Sequence, residues 1–341
     1  MQVKLKDLAR MTGYSITTVS RALAGYSDVN EQTRQHIIET ARQLGYVPNQ
    51  AARQLRNQSS ATLGMIIPAI ERSFSNDFFS QLMQGIGDSA SLYHYDVLIS
   101  AQHPGEEEMA AYRRLVGGYR VDGMILARTR QHDPRIAYLK ERGHPFAVSG
   151  RAAPGEVSDF PYIDVDSQAG IRMLVEHFLE LNHRHIGLIL PPPDVAYTGY
   201  RFEGYREALR SAGLAYRQEY IVHGDLTRVG GFDGAQRLLA QNPEITAIVA
   251  CNDLMALGAM SAIQSAGLRV GEDVGVAGFD DVPAAEYAHP PLTTIHQPIY
   301  EIGQRLVRMV IDIIKGQPPA ETQVVLPPVL IVRASSGLRR R

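Results

Sequence analysis

From Leu63 onward the chain alternates short apolar runs with amphipathic helical stretches, an order that few folds admit. The runs fall at 63–68, 96–101, 123–127, 146–149, 185–190, 245–250 and 274–279. Between and after them, apolar residues recur at helical spacing near 79–92, 107–117, 134–142, 167–181, 201–213, 231–241, 253–267 and 299–315. Runs this short, separated by helices this long, predict βαβ units and parallel sheets covered by helices on both faces. About 275 residues is long for one such sheet, so two α/β lobes are expected.

Ligands of parallel α/β sheets bind outside the carboxyl ends of the strands. Those ends carry conspicuous polar residues here. Arg128 follows Met124–Ala127, and Ser149-Gly150-Arg151 follows Pro145–Val148. Asn252 and Asp253 follow Ile245–Cys251, Asp280 and Asp281 follow Val274–Phe279, and Gln297 follows Thr293–His296. Carboxylates, amides and guanidinium groups suit the paired hydroxyls of a sugar. An aromatic face, from Phe78 or Phe79, would cover the C–H side of a sugar ring. Each acidic residue could instead cap a helix or turn, and Asp253 and Asp281 are assigned mainly to that role. Arg128 and Arg151 could alternatively meet a phosphate or carboxylate.

The first 60 residues follow a different pattern. Leu5, Leu8 and Ala9 share one helical face, and Gly13 breaks that helix. Ser15 is a good N-cap for a second helix running to about Leu23, with Val19, Ala22 and Leu23 inward. Asn30 caps a third helix, packed through Ile37, Ile38, Ala41 and Leu44 and ended by Gly45. Two short helices joined by a glycine turn and buttressed by a third make a helix-turn-helix, or else a generic three-helix packing module. In a helix-turn-helix the second helix enters the major groove by its N-terminal end, which here is Ser15, Ile16, Thr17 and Thr18, with Ser20 and Arg21 further along. Eight of the 34 Lys/Arg but only four of the 36 Asp/Glu lie in residues 1–60, while the whole chain carries a formal charge of −2. A basic module on an acidic body suits contact with phosphate.

Three stretches carry a resemblance. Leu5-Lys6-Asp7-Leu8-Ala9, Thr18-Val19-Ser20-Arg21-Ala22-Leu23 and Leu44-Gly45-Tyr46-Val47-Pro48-Asn49 resemble, in order and spacing, the opening of the lactose-repressor/galactose-repressor (LacI/GalR) family. The stretch 127–135 is similar to regulators of α-glucoside use. The resemblance covers the whole chain and implies a regulator that binds operator DNA as a homodimer and is switched by a small molecule. It implies a helix-turn-helix domain over 1–47, with Ile16, Thr17 and Arg21 facing base edges. A hinge helix and linker follow over 48–62. Asn49, Ala52 and Leu55 would meet DNA there, Leu55 as a wedge in the minor groove.

The resemblance further implies a body of the two-lobed periplasmic-binding-protein type over 63–341. Lobe N would comprise about 63–160 and 292–322, and lobe C about 161–291 and 323–341. Carried over residue by residue, Arg201, Asn252 and Asp280 match effector-contacting positions. Gln297 and Leu226 match positions where contact varies, and Leu226 is apolar where an aromatic is sometimes found. The expected effector is a sugar or glycoside that releases the operator. The alternatives are a corepressor-type response to a purine or sugar phosphate, or a sugar-binding protein of transport or chemotaxis.

Other signals are set aside. Gly85-Ile86-Gly87-Asp88-Ser89-Ala90 fits a dinucleotide pattern but falls inside a helix rather than after a strand. His183 and His185 lack further metal ligands at suitable spacing, and Glu106-Glu107-Glu108 would decorate the first turn of a helix. No nucleophile elbow or Walker loop is present, so neither enzyme chemistry nor a cofactor is expected. The single cysteine, Cys251, excludes an intramolecular disulfide framework and is expected to be buried and inert. No apolar run reaches the roughly 18 residues of a membrane span, and the polar N-terminus lacks a signal peptide, so the expected location is cytoplasmic.

Overall fold

Glycine and capping residues punctuate the first three helices where the pattern places them. A computed structural model describes residues 3–46, 59–69, 77–317 and 319–337. The chain divides into two compact units, 1–60 and 61–341. In the first, α1 spans Leu5–Thr12, α2 Ile16–Leu23 and α3 Glu31–Gln43. Gly13 ends α1 at a φ of 75°, a left-handed conformation that glycine adopts at no steric cost. The Ser15 hydroxyl accepts from Thr18 N at 3.0 Å, and Asn30 Oδ1 accepts from Gln32 N at 2.9 Å. Leu8, Ala9, Val19, Ala22, Val29, Ile37 and Ala41 form the core. Ile38, expected inside, is 41% exposed: its neighbour Ile37 and Ala41 already define the buried stripe of α3.

The second unit holds two parallel sheets. The first contains β1 (Thr62–Pro68), β2 (Asp96–Gln102), β3 (Gly123–Ala127), β4 (Phe146–Ser149), β5 (Tyr162–Val165) and β11 (Gln323–Leu326), in the order β11-β5-β4-β3-β1-β2. The second contains β6 (Ile186–Leu190), β7 (Ile221–His223), β8 (Ala247–Ala250) and β9 (Gly275–Ala277), in the order β7-β6-β8-β9. Every pairing within these two sheets is parallel. A third, antiparallel pair joins β10 (Thr294–His296) to β12 (Val329–Ile331).

The helices that flank the sheets are α4 (Asp77–Leu92), α5 (Glu106–Gly117), α6 (Pro134–Glu141), α7 (Ser167–Glu180), α8 (Tyr197–Ser211), α9 (Arg228–Gln241), α10 (Asp253–Ser265), α11 (Pro283–Glu286) and α12 (Ile299–Ile314). One apolar core lies under each face of the first sheet, and a larger one unites the second lobe. The pattern Gly85–Ala90 lies within α4, where Gly85 lets α12 approach: a Cβ there would fall 2.0 Å from Tyr300 O.

The exchanges between lobes come a few residues later than the sequence suggests. Tyr162 pairs with Gln323 and Val165 with Leu326, so β5 and β11 finish the first sheet together. The expected boundaries at 160/161 and 322/323 therefore move past Val165 and Leu326. The boundary expected at 291/292 moves as well. Gly278 N donates to Thr293 O at 2.9 Å, which keeps this stretch on the second lobe until β10 has passed.

Tight helix crossing is a requirement of the second lobe. A Cβ on Gly258 of α10 would lie 2.0 Å from Arg228 O and 2.8 Å from Phe232 N of α9. Gly258→Ala is predicted to lower stability by about 1–3 kcal/mol, since backbone must move to admit the methyl group. Urea unfolding measures this, and an unchanged midpoint would contradict the packing described.

Candidate functional site

In the first unit, the N-terminal end of α2 presents Ser15, Ile16 and Thr17 to solvent, with Arg21 exposed one turn on. Ile16 is 53% exposed. Thr18 and Ser20 are half-buried, and Thr18 Oγ1 lies 2.8 Å from Ser15 Oγ. Arg21 is ion-paired with Asp28 and lies 5.0 Å from the centre of the Tyr26 ring, so its guanidinium is held in place. Asn49, Ala52 and Leu55 lie outside the described residues.

In the second unit, a cavity open to solvent lies where the carboxyl ends of the two sheets face each other. Seven of the eight residues expected at the effector line it: Phe79, Arg128, Arg201, Leu226, Asn252, Asp280 and Gln297. Phe78 and Phe79 meet edge to face at 5.7 Å at the start of α4, and Arg128 lies 5.3 Å from the Phe79 ring centre. Arg201 projects from α8 and is only 4% exposed. It is clamped between the rings of Tyr197 (4.3 Å) and Phe279 (4.0 Å) and donates to Cys251 O. Its Nε is buried without a hydrogen-bond partner.

Asn252 has two roles. Its Oδ1 caps α10 by accepting from Met255 N at 2.9 Å, and its Nδ2 donates to Leu226 O at 3.2 Å. Asn252 thus caps the helix and also stands in the cavity lining. Asp253 is not the cap. It is fully buried, its carboxylate accepting from Val282 N at 2.9 Å and from the Thr294 hydroxyl at 2.6 Å. Asp281 likewise caps nothing: it pairs with Arg333 at 2.8 Å and with His296 at 2.9 Å.

Three lining residues other than glycine have left-handed backbones: Arg128 (φ 54°), Leu226 (φ 68°) and Asp280 (φ 128°). Such conformations cost roughly 1–3 kcal/mol each and persist where surrounding bonds over-determine them. Here the Arg128 carbonyl accepts from Arg135 at 2.8 Å. Asp280 N donates to Ile295 O at 2.9 Å, and Asp280 Oδ1 accepts from Gln297 Nε2 at 2.6 Å.

Arg151 departs from expectation. It is absent from the cavity lining. Its Nε lies 2.9 Å from Asp164 Oδ2 and its guanidinium stacks 4.2 Å from the Tyr200 ring centre. The carboxylate next to it on β5 outcompetes the open cleft for the charge. Arg130 and Arg135 are structural too. Both pair with Glu108, at 2.6 and 3.5 Å, and Arg135 also pairs with Asp133 at 2.6 Å. Glu108 is 1% exposed and is thus a buried anchor rather than surface decoration. His183 and His185 bond Thr246 and Tyr220. Among the described residues no group of three His, Cys, Asp or Glu could hold a metal, and no helix is long and apolar enough to cross a membrane. Cys251 is buried, which pushes its thiol up to about 12.

The cavity also holds Ser149 and Gly150, read from the sequence as lying at a strand end, and three residues the sequence reading missed: Asp164, Ser167 and Tyr197. Asp164 had a signal, because an acidic residue inside the apolar strand Tyr162-Ile163-Asp164-Val165 is costly unless it is used.

Residues 4–49 match the family model of bacterial regulatory proteins of the lacI family, and 175–336 match a periplasmic binding protein-like domain. CelR of Thermobifida fusca, an HTH-type transcriptional regulator, is 32% identical over 97% of this chain and 97% of its own. AglR of Rhizobium meliloti (strain 1021), another such regulator, is 34% identical over 99% of this chain and 95% of its own. The chain belongs to the LacI family. A structure of CelR in complex with cellobiose matches it at a TM-score of 0.76 and 31% identity, covering 98% of this chain and 100% of that one. A lac repressor dimer bound to operator and the anti-inducer ONPF matches at 0.86 and 28%, covering 99% and 100%. The LacI-family chain is accordingly a DNA-binding transcription regulator.

Burial, and next the charge of Asp253, pushes the Asp280 carboxyl well above the usual carboxylate range, against the pull of Arg201. A folded chain that binds this proton more tightly than the unfolded chain is stabilised at acidic pH. That stability is lost as pH rises through the raised folded value. Asp280→Asn removes the titration. Between roughly pH 5 and pH 8 the melting temperature of the ligand-free variant is predicted to fall less than that of the wild type. Parallel falls would contradict the buried, proton-binding environment of Asp280.

Proposed function

We propose that this LacI-family regulator binds operator DNA as a homodimer and that a neutral sugar or glycoside, bound between its lobes, releases the operator. The observation that carries the effector reading is the composition of the cavity. Two carboxylates, Asp164 and Asp280, stand with two guanidinium groups, Arg128 and Arg201, and one amide, Asn252, around a phenylalanine face. That set offers donors and acceptors for many hydroxyls. The cellobiose complex of CelR supports the same class of ligand.

The sugar-phosphate reading needed Arg128 and Arg151 side by side, and the engagement of Arg151 with Asp164 counts against it. Residues 4–49 count against a transport role, because a sugar carrier has no use for a helix-turn-helix. The exposed Ile16 and Thr17 are proposed as base-edge readers and Arg21 as a base or phosphate contact. A bidentate arginine contact is worth about 1–3 kcal/mol of discrimination. The proposed DNA-binding domain is 1–47, with the hinge over 48–62.

A thermal-shift series against neutral mono- and disaccharides, sugar phosphates and purines tests this reading. A ligand at a hundred times its dissociation constant adds about 2.7 kcal/mol to apparent stability. At least one neutral saccharide is expected to stabilise the protein, and Arg201→Ala to abolish that shift while sparing operator binding. Stabilisation by purines or phosphorylated sugars alone would overturn it in favour of a corepressor or sugar phosphate.

A further inference from the structure

We infer that Asp164 is a specificity-determining contact that admits neutral sugars to the cavity and turns away their acidic counterparts. The inference rests on the proposed sugar function and deepens it.

Asp164 stands on β5, in the first lobe, and lines the cavity across from Asp280 on the second. Its side chain is only 13% exposed. Its neighbours in the strand, Tyr162, Ile163 and Val165, are all buried, so the carboxylate is the one polar interruption of β5. Buried charges are retained where they are paired or used. Asp164 is only partly paired. Arg151 Nε lies 2.9 Å from Asp164 Oδ2, but neither atom makes a directional hydrogen bond. The contact is an ion pair that leaves Asp164 Oδ2 without a hydrogen-bond partner.

The second consequence concerns Arg151. A guanidinium at the mouth of a cleft would ordinarily recruit anions. This one is stacked on Tyr200 of α8 and held between Asp164 and, at 3.7 Å, Asp166. Its charge is turned away from the cavity and its counter-ion faces inward. An incoming hydroxyl finds an acceptor. An incoming carboxylate or phosphate finds the like charge of Asp164, and such juxtapositions are unfavourable.

The experiment uses calorimetric titration of the full-length protein with a matched pair. One ligand is a neutral saccharide that stabilises the wild type, and the other is its uronic acid, in which a CH₂OH becomes a carboxylate of nearly the same size. The wild type is expected to prefer the neutral member by roughly a hundredfold, as one desolvated like-charge contact implies. Asp164→Asn keeps the shape, removes the charge and frees Arg151, so the preference should shrink by at least roughly tenfold. A variant ratio within about threefold of the wild-type ratio would overturn the assignment. Equal or tighter binding of the acid by the wild type overturns it without any variant, and so stands even if Asp164→Asn does not fold. If the wild type binds no neutral saccharide at all, the function itself is wrong and the inference goes with it. That outcome is distinct from neutral binding without selectivity.

Discussion

In a parallel sheet every strand ends at the same edge, and the site depends on that constraint. The first lobe delivers Arg128 and Ser149 from the ends of β3 and β4, and the second delivers Asn252 and Asp280 from the ends of β8 and β9. Loops that leave such strands must turn sharply. At three of them the turn is made by a residue other than glycine in the left-handed region. The strain is held by hydrogen bonds from Arg135, outside the lining, and from Gln297 and Asn252 within it, which fix the lining before a ligand arrives. Preorganisation of this kind lowers the entropic cost of binding.

The support reaches further than the lining. Arg135 holds the Arg128 carbonyl and is itself held by Asp133 and Glu108. Replacing one member of such a buried ion cluster leaves an uncompensated charge, which costs about 3–5 kcal/mol. The loop after Arg128 also reaches the second lobe. Gln131 N donates to Asp194 O at 2.8 Å, and Ala196 N donates to Thr129 O at 2.9 Å. Tyr197 and Arg201 follow at once on α8, so the segment that bridges the lobes also carries two cavity residues. A ligand that draws on Arg201 and Arg128 together therefore acts on both lobes, as a switch requires.

Much of this was legible in the residues. The three N-terminal helices follow from Gly13, Ser15, Asn30 and Gly45, which act locally and need no tertiary context. The main strands and helices follow from periodicity. The short strands β5, β7, β11 and β12, of three or four residues each, carry too few side chains to establish a period. The pairing of β5 with β11 joins residues far apart in sequence, and this moved the lobe boundaries. At the site, Asn252, Asp280, Arg201 and Gln297 were readable because position on a strand end or within a family motif fixes their direction. Arg151 was misread because its partner, Asp164, sits on the next strand. Sequence spacing cannot tell which of two cations a neighbouring carboxylate will capture.

The central claim is that one chain couples a DNA site and a sugar site, and linkage gives its most direct test. Operator affinity is measured with and without saturating saccharide, and saccharide affinity with and without saturating operator, using DNA selected by the protein from a random pool. The account predicts that both affinities fall by the same factor, since the coupling free energy belongs to the pair of sites. A saccharide that binds equally well to the free and the operator-bound protein would contradict it.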